Sequence, residues 1–367
     1  MRKRNGYFKI IIKYSGALIA FLIGSGFASG QEVLQFFSAY GPVGSLGAGA
    51  LACLLLFWAF RTVLRDVQIW NLENTNQIYR RYCGRILGGI FEWLTPIFLF
   101  LLYVVMLSGA GALLEENYGL PVWTGRFLML GLTLFTVLLG LDRLVDIIGK
   151  IGPVIIICVV CMGIACLIQK PVSIPLMYEK MSGLPLTRAA GTWWLSGLSY
   201  ASFNIMTILP FLTGIGQKLP DRKTSRYCAA GSSLSFMMAA MILNFGMLGS
   251  IDLVCGRNIP ALVIAGQWFR GASAVFTLMM FAGIYTTAVP MLWSSGSRVY
   301  PDDKSNGFRW TVLILAVAAF FGGSLPFARL VNLIYPCMGY LGFLVLAGML
   351  ASDIRLLLKV KQKHVPR

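Results

Sequence analysis

The stretch Gly24-Ser25-Gly26-Phe27-Ala28-Ser29-Gly30-Gln31-Glu32 lies inside an apolar run that extends from about Ile10 to Ala39. Each glycine costs a helix ~1 kcal/mol relative to alanine, so three of them with two serines predict a local break. Unpaired backbone in hydrocarbon costs several kcal/mol per group, and a break there persists only where protein or a polar cavity covers it. A half-helix that ends at such a break offers free carbonyls, and one that starts there offers free N–H groups and a positive dipole end. The stretch therefore predicts a central site made largely of backbone.

The surrounding chain is of the same kind. Of its 367 residues 57% are hydrophobic and 12% charged, against about 25% charged in an ordinary globular chain. Ten apolar segments are predicted: Ile10–Ala39, Val43–Phe60, Ile86–Leu114, Val122–Leu141, Ile147–Ile168, Gly191–Ile215, Tyr227–Ser250, Gly271–Val299, Trp310–Gly322 and Phe327–Ala351. Most are long enough to cross a ~30 Å hydrocarbon layer as helices. Ile259–Phe269 is too short and is expected to form a surface helix. The basic start Arg2-Lys3-Arg4 runs into the first segment without a small-residue cleavage site, so that segment is kept as a span rather than a signal peptide.

Ten spans with both termini inside place 24 of the 31 Lys and Arg on the cytoplasmic side. Arg126, Lys170, Lys180, Arg188, Arg257, Arg270 and Arg329 fall outside. That asymmetry is what membrane insertion selects. It also accounts for the net charge of +17 through anionic lipid rather than nucleic acid. Five of the cysteines (Cys53, Cys158, Cys161, Cys166, Cys337) lie within apolar runs, and the single histidine, His364, is near the C-terminus, so neither a disulfide framework nor a metal or redox centre is expected.

A second Gly- and Ser-rich region, Gly197-Leu198-Ser199-Tyr200-Ala201-Ser202-Phe203-Asn204 followed by Pro210, lies in the sixth segment. Tyr200-Ala201-Ser202 resembles Phe27-Ala28-Ser29 at an offset of 173 residues, close to half the chain. Two five-span halves are inverted relative to each other, and interrupted helices at matching places in such halves point to a transporter's site. The expectation is an all-α integral membrane protein of two repeats, about 8–169 and 189–352, with a cytoplasmic tail over 353–367 and breaks in helices 1 and 6. Backbone around Ser29 and Gly30 is expected to meet a carboxylate. Carbonyls near Gly24, Ser25 and Ser199 would meet an amine or ion, and Phe27, Tyr200 and Phe203 would cap the solute. Gly26, Ser202 and Asn204 complete the predicted site. The competing explanation is packing, since small residues let membrane helices approach closely.

The run Gly24 to Phe37 closely resembles the first helix of the YkvI-type bacterial membrane proteins. These are similar to the amino acid–polyamine–organocation superfamily and its LeuT fold. The resemblance implies a plasma-membrane protein with this fold and a transport role more than a particular ligand; with the chemistry of the break, the expectation is a secondary transporter of a small, amino-acid-like solute, coupled to sodium or protons. It implies a sodium site between segments 1 and 8, where Ala282-Gly283-Ile284-Tyr285-Thr286-Thr287-Ala288 looks like a hydroxyl-bearing, sodium-binding stretch. Thr286 and Thr287 would supply oxygens, and sodium is the one cofactor implied. Tyr285 departs from the smaller residue expected there. A rival reading comes from Gly149-Lys150-Ile151-Gly152-Pro153, which resembles sodium-independent members in which a lysine ammonium replaces the ion.

Acidic residues near the membrane are few. Glu32, just after the first break, is a coupling candidate because intramembrane acids are functional by default. Glu92 is expected to face a loop or interface, and Glu115 and Glu116 a solvated helix end. Asp142, Arg143 and Asp146 are expected to form a charged inner loop able to make gate salt bridges. No HExxH, GxSxG or dense acid cluster points to an enzyme. The alternative to a transporter is a membrane sensor or receptor subunit on the same fold.

Overall fold

A computed structural model describes residues 2–70, 77–169, 173–257, 259–266, 272–324 and 327–363. Lys170, Arg270, Gly271 and His364, which figure in the reading above, lie outside the described residues. The expected first segment is divided into α1 (Arg2–Leu22), α2 (Ser25–Ser29), α3 (Gln31–Phe36) and a 3-10 turn at Ser38–Tyr40. It is followed by α4 (Gly41–Trp70), α5 (Ile78–Tyr118), α6 (Val122–Leu138), α7 (Leu141–Gln169), α8 (Ile174–Met181), α9 (Trp193–Lys218), α10 (Arg222–Gly249), α11 (Ile251–Val254), α12 (Pro260–Ala265), α13 (Ala272–Val299), α14 (Asn306–Gly322) and α15 (Phe327–Lys363).

Seven stretches among the described residues are long and apolar enough to cross a membrane, and α6 and α14 are shorter apolar helices. Large apolar side chains such as Leu54, Ile97, Phe135, Ile157, Leu278 and Phe321 stand exposed on the outer surface. In water such an apolar belt would be a liability. In lipid it is the expected exterior. Of the surface helix expected over Ile259–Phe269, residues 267–269 lie outside the described residues; α12 forms within the rest, but Pro260, Ala261, Ile264 and Ala265 are buried, so it packs into the protein instead of lying on its surface.

The interior is organised around α1–α3. α1 packs on α7, α10 and α13, while α4 packs on α9 and α10. α5 and α13 lie against each other, with α6 and α14 alongside and α15 bridging α9 and α5. Glycine sets the closest approaches. A Cβ on Gly16 would stand 2.5 Å from the Gly149 carbonyl oxygen, and one on Gly149 would be 2.6 Å from the Lys13 carbonyl oxygen. The Gly149-x-x-Gly152 spacing is thus a packing face for α1.

One central expectation fails. α9 runs unbroken from Trp193 to Lys218, so the sixth segment is not interrupted at Gly197–Asn204. The small residues there serve close packing instead. A Cβ on Gly197 would be 2.5 Å from the Ala48 carbonyl oxygen of α4, and one on Gly339 of α15 would be 2.8 Å from Ser199 Oγ. Gly342 likewise lies against the Ser202 carbonyl. Pro210 removes one helical N–H from the partner set of Met206, and the Tyr79 hydroxyl donates to the Met206 carbonyl at 3.2 Å instead.

Candidate functional site

The first helix does break, and the break is specific. Gly24 is extended (φ −81°, ψ −172°), and Gly30 is left-handed (φ 83°). Side chains disfavour that second conformation by roughly 1–2 kcal/mol, so glycine belongs at 30. Ser29 Oγ donates to the Gly26 carbonyl at 3.0 Å. A Cβ on Gly30 would press on Met247 and on the Ala261 backbone nitrogen at 3.3 Å. Ser29 and Gly30 are therefore used in building the break and seating it against α10 and α12, rather than lining an open surface.

Breaking α1 releases carbonyls at its end, and α13 receives them. Thr286 Oγ1 lies 2.9 Å from the Ala20 carbonyl and 3.0 Å from that of Gly283. Thr287 Oγ1 lies 3.2 Å from the Ala20 carbonyl and 2.8 Å from that of Phe21. A Cβ on Gly283 would sit 3.3 Å from the Ile23 carbonyl oxygen. Neutral oxygens thus gather where two buried threonines face the frayed end of α1, a donor set that suits a hard monovalent cation. The residues fit a sodium ion, with Thr286, Thr287 and the carbonyls of Ala20, Phe21 and Ile23 as the groups that would hold it. The expected carbonyl at Gly24 instead accepts from the Ala28 amide at 2.9 Å. Tyr285 is on the other face of α13, bonded to Thr136 of α6 at 2.6 Å, which explains why a large residue is tolerated there. Lys150 is exposed and lines a groove with Lys9, Lys13 and Asp146, and it makes none of the contacts recorded around Thr286 and Thr287.

On the other side of the break is a second cluster. Glu32 is 4% exposed. Its side chain folds back across the break, so that a Cβ on Gly26 would lie 2.7 Å from Glu32 Cγ. The Tyr200 hydroxyl and the Phe27 backbone amide lie beside its carboxylate. Ser25 Oγ, Glu32 Oε2 and the Tyr200 hydroxyl are buried without a well-formed hydrogen bond in the protein, which is costly unless something else satisfies them. Tyr335 of α15 stacks on Phe203 at 4.7 Å, with its hydroxyl beside Ser25. Tyr200 meets Phe37 edge-on at 4.8 Å and Phe36 at 5.1 Å, while Phe27 packs on Phe236 at 5.1 Å. Asn204 donates to the Tyr200 carbonyl and Ser202 to the Leu198 carbonyl, each at 2.8 Å, so both are occupied within α9.

The structure brings Ser25, Gly26, Glu32, Tyr200 and Phe203 together at one cluster and Thr286 and Thr287 at another. It leaves Ser199, Ser202 and Lys150 outside both. Sequence reasoning did not name the Ala20 and Phe21 carbonyls that the threonines face, nor Tyr335, for which only an aromatic in a late apolar run gave a signal.

Polar ties flank the clusters. At the end bearing the N-terminus, Lys13 pairs with Asp146 and Lys218 with Asp142, and the Leu141 amide donates to Asp303 at 2.7 Å. The residues expected in an inner loop thus begin α7 and carry ion pairs. At the same end Glu92 is 3% exposed, held by Arg80 at 2.8 Å and Arg298 at 3.7 Å. This corrects the loop or interface position expected for it. At the opposite end Gln31 donates to the Arg257 carbonyl, and Lys180 reaches the Gly249 carbonyl at 3.1 Å.

No family model matches the chain. It is similar to two proteins of Bacillus subtilis (strain 168): the uncharacterized membrane protein YkvI, 22% identical over 349 residues, 93% of this chain and 96% of that one, and the uncharacterized protein YyaD, 24% identical over 350 residues, 94% and 97%. Among solved structures, Mhp1, a nucleobase-cation-symport-1 family transporter in a closed conformation with bromovinylhydantoin bound, aligns with a TM-score of 0.61 at 16% identity, covering 85% of this chain and 70% of that one. A manganese transporter of Eremococcus coleocola aligns at 0.58 and 15% identity, covering 94% and 79%. The chain is therefore a helical membrane protein similar along nearly its whole length to YkvI and YyaD, with the fold of LeuT-like transporters.

Proposed function

We propose that the chain is a secondary active transporter of a small, amino-acid-like solute, working by alternating access with sodium or proton coupling. The observation that carries this reading is the break at Ile23–Gly24. It frays α1 against Thr286 and Thr287 on one side and sets Glu32, Ser25 and Tyr200 together on the other. A cation at the first cluster and a solute at the second would share the same few residues of backbone, so each would bias the position of the other. This is a physical route to coupling.

Ten membrane crossings in two inverted halves complete the proposal, with both termini in the cytoplasm. In support, the packing is preserved when helices of the first half are exchanged for those of the second. α1 on α7 corresponds to α9 on α15, α4 on α9 to α10 on α1, and α5 on α6 to α13 on α14. Thr286 and Thr287 face the frayed carbonyls whereas Lys150 is exposed, so the sodium arrangement is favoured over the lysine surrogate.

The experiment is uptake into proteoliposomes under an imposed sodium or pH gradient, with labelled amines and amino acids as solutes. Gradient-driven accumulation that Thr286→Val and Thr287→Val reduce is the expected result. Ligand binding without accumulation under either gradient would replace the transporter with a sensor on the same fold.

A further inference from the structure

We propose that the solute is a primary amine recognised as its ammonium by Glu32, Ser25 and Tyr200, and that Glu32 excludes solutes bearing a carboxylate beside the amine. The inference rests on the transporter reading for the location of the site, and it replaces the amino-acid-like solute of that reading with an amine that lacks the neighbouring carboxylate.

Two buried carboxylates in this chain are treated differently. Glu92, 3% exposed, has two arginines as partners. Glu32 is as deeply buried, at 4%, yet no Lys or Arg among the described residues forms an ion pair with it. A buried carboxylate lacking a counter-cation is costly, and within a transport site a cationic solute supplies what the fold does not.

The number and kind of free acceptors match. An alkylammonium has three N–H donors and no acceptor. Glu32 Oε2, Ser25 Oγ and the Tyr200 hydroxyl are three buried oxygens without a well-formed hydrogen bond in the protein, Tyr200 lying beside Glu32 and Ser25 beside Tyr335. Tyr335, stacked on Phe203, and Tyr200, packed on Phe36 and Phe37, provide aromatic surface around them, which favours a cation further. This cluster carries a carboxylate, whereas the sodium-type site at Thr286 and Thr287 is built of neutral hydroxyl and carbonyl oxygens.

The carboxylate exclusion follows from where Glu32 lies. Its side chain covers Gly26 and approaches the Phe27 amide. That is the backbone at the break which an amino acid's carboxylate would need. The tethered carboxylate occupies that backbone and repels a second negative charge. Glu32 thus takes the part that the solute's own carboxylate would play.

The test compares matched pairs by thermal shift on the purified full-length chain, since a ligand of the folded state raises its melting temperature. The pairs are phenethylamine and phenylalanine, isoamylamine and leucine, tyramine and tyrosine, and cadaverine and lysine. At least one amine should stabilise the protein, its amino acid should bind at least tenfold more weakly, and Glu32→Gln should weaken the amine at least tenfold. Tyr200→Phe and Ser25→Ala should each weaken it by a smaller factor, and they carry the test if Glu32→Gln does not fold. Amino acids binding as tightly as their amines, no response to any amine, or amine binding unchanged in Glu32→Gln would each overturn the inference, the last leaving Glu32 as a proton carrier. Flux separates the two readings: amine binding without proteoliposome uptake removes transport and keeps this recognition, and amino-acid uptake without amine binding does the reverse.

Discussion

Thr287 of α13 places its hydroxyl 2.8 Å from the Phe21 carbonyl, one turn before the point where the first helix gives way. That carbonyl and its neighbour at Ala20 have lost helical partners to the break, and the threonine pair takes their place. The contact thus joins the broken helix to the helix that packs on α5, and it does so through oxygens a cation could share.

Replacing both threonines by valine keeps their shape and removes both hydroxyls. Each lost hydrogen bond to a buried carbonyl costs about 1 kcal/mol. The double variant should melt several degrees below the parent and lose any stabilisation by sodium chloride relative to choline chloride. Retention of a full sodium response would show that the ion binds elsewhere.

Gly26→Ala probes the second cluster. A Cβ there meets the Glu32 side chain, with Cγ at 2.7 Å and Cδ at 2.8 Å. The backbone at 26 is helical and accepts alanine, so the displacement falls on Glu32. Solute affinity should drop at least tenfold, and the melting temperature of the free protein should fall too, because the buried Glu32 side chain must shift to make room. Equal affinity in the two proteins would mean that Glu32 does not contact the solute.

Glu92 joins α5 to Arg298 at the end of α13, and Arg298 also lies over the Trp93 ring at 4.2 Å. Removing one member of a buried ion pair leaves an uncompensated charge and costs roughly 3–5 kcal/mol. Glu92→Ala should therefore lower the melting temperature strongly. In a double-mutant cycle with Arg298→Met, part of that loss should be recovered, because the stranded cation is gone. Additive losses would make the contact incidental.

Tyr79 accounts for the integrity of α9 at Pro210. Its hydroxyl is the partner that the Met206 carbonyl has in place of the missing proline N–H. Tyr79→Phe should cost about 1 kcal/mol and raise hydrogen exchange in α9 around residue 210 before that of α5. Uniform exchange across both helices would remove the special role.

The break in the first helix was legible because glycine acts there through its own conformation: Gly30 needs a positive φ, and no neighbour need be known to infer that. The sixth helix misled because its small residues act through what lies opposite, the Ala48 carbonyl for Gly197 and Gly339 for Ser199. Composition cannot separate a glycine that loosens a helix from one that lets another helix approach. Thr286 and Thr287 were found by their likeness to a hydroxyl-bearing stretch, but the carbonyls they face belong to Ala20 and Phe21, whose side chains say nothing of backbone chemistry. Glu92 was misplaced for a related reason: its burial depends on arginines 12 residues before it and on another helix, and neither pairing has a local signature.

Asp221, in the connection between α9 and α10, caps α10 by accepting from the Thr224 amide at 2.7 Å. That bond, with a smaller contribution from the Thr224 hydroxyl, holds its carboxyl below the usual aspartate value. A carboxyl whose folded pKa lies below its unfolded one stabilises the protein above the unfolded value, and loses that contribution as pH falls through the folded value. Asp221→Ala should therefore cost about 1 kcal/mol at neutral pH, with the difference from the parent shrinking below about pH 4 as the parent's own cap is protonated. Asp221→Asn should keep most of the neutral-pH stability, because an amide oxygen still accepts from Thr224, while its melting temperature shows less acid dependence than the parent's. A difference between parent and alanine variant that stays constant from neutral pH down through the aspartate range would show that the charge on Asp221 takes no part in the cap.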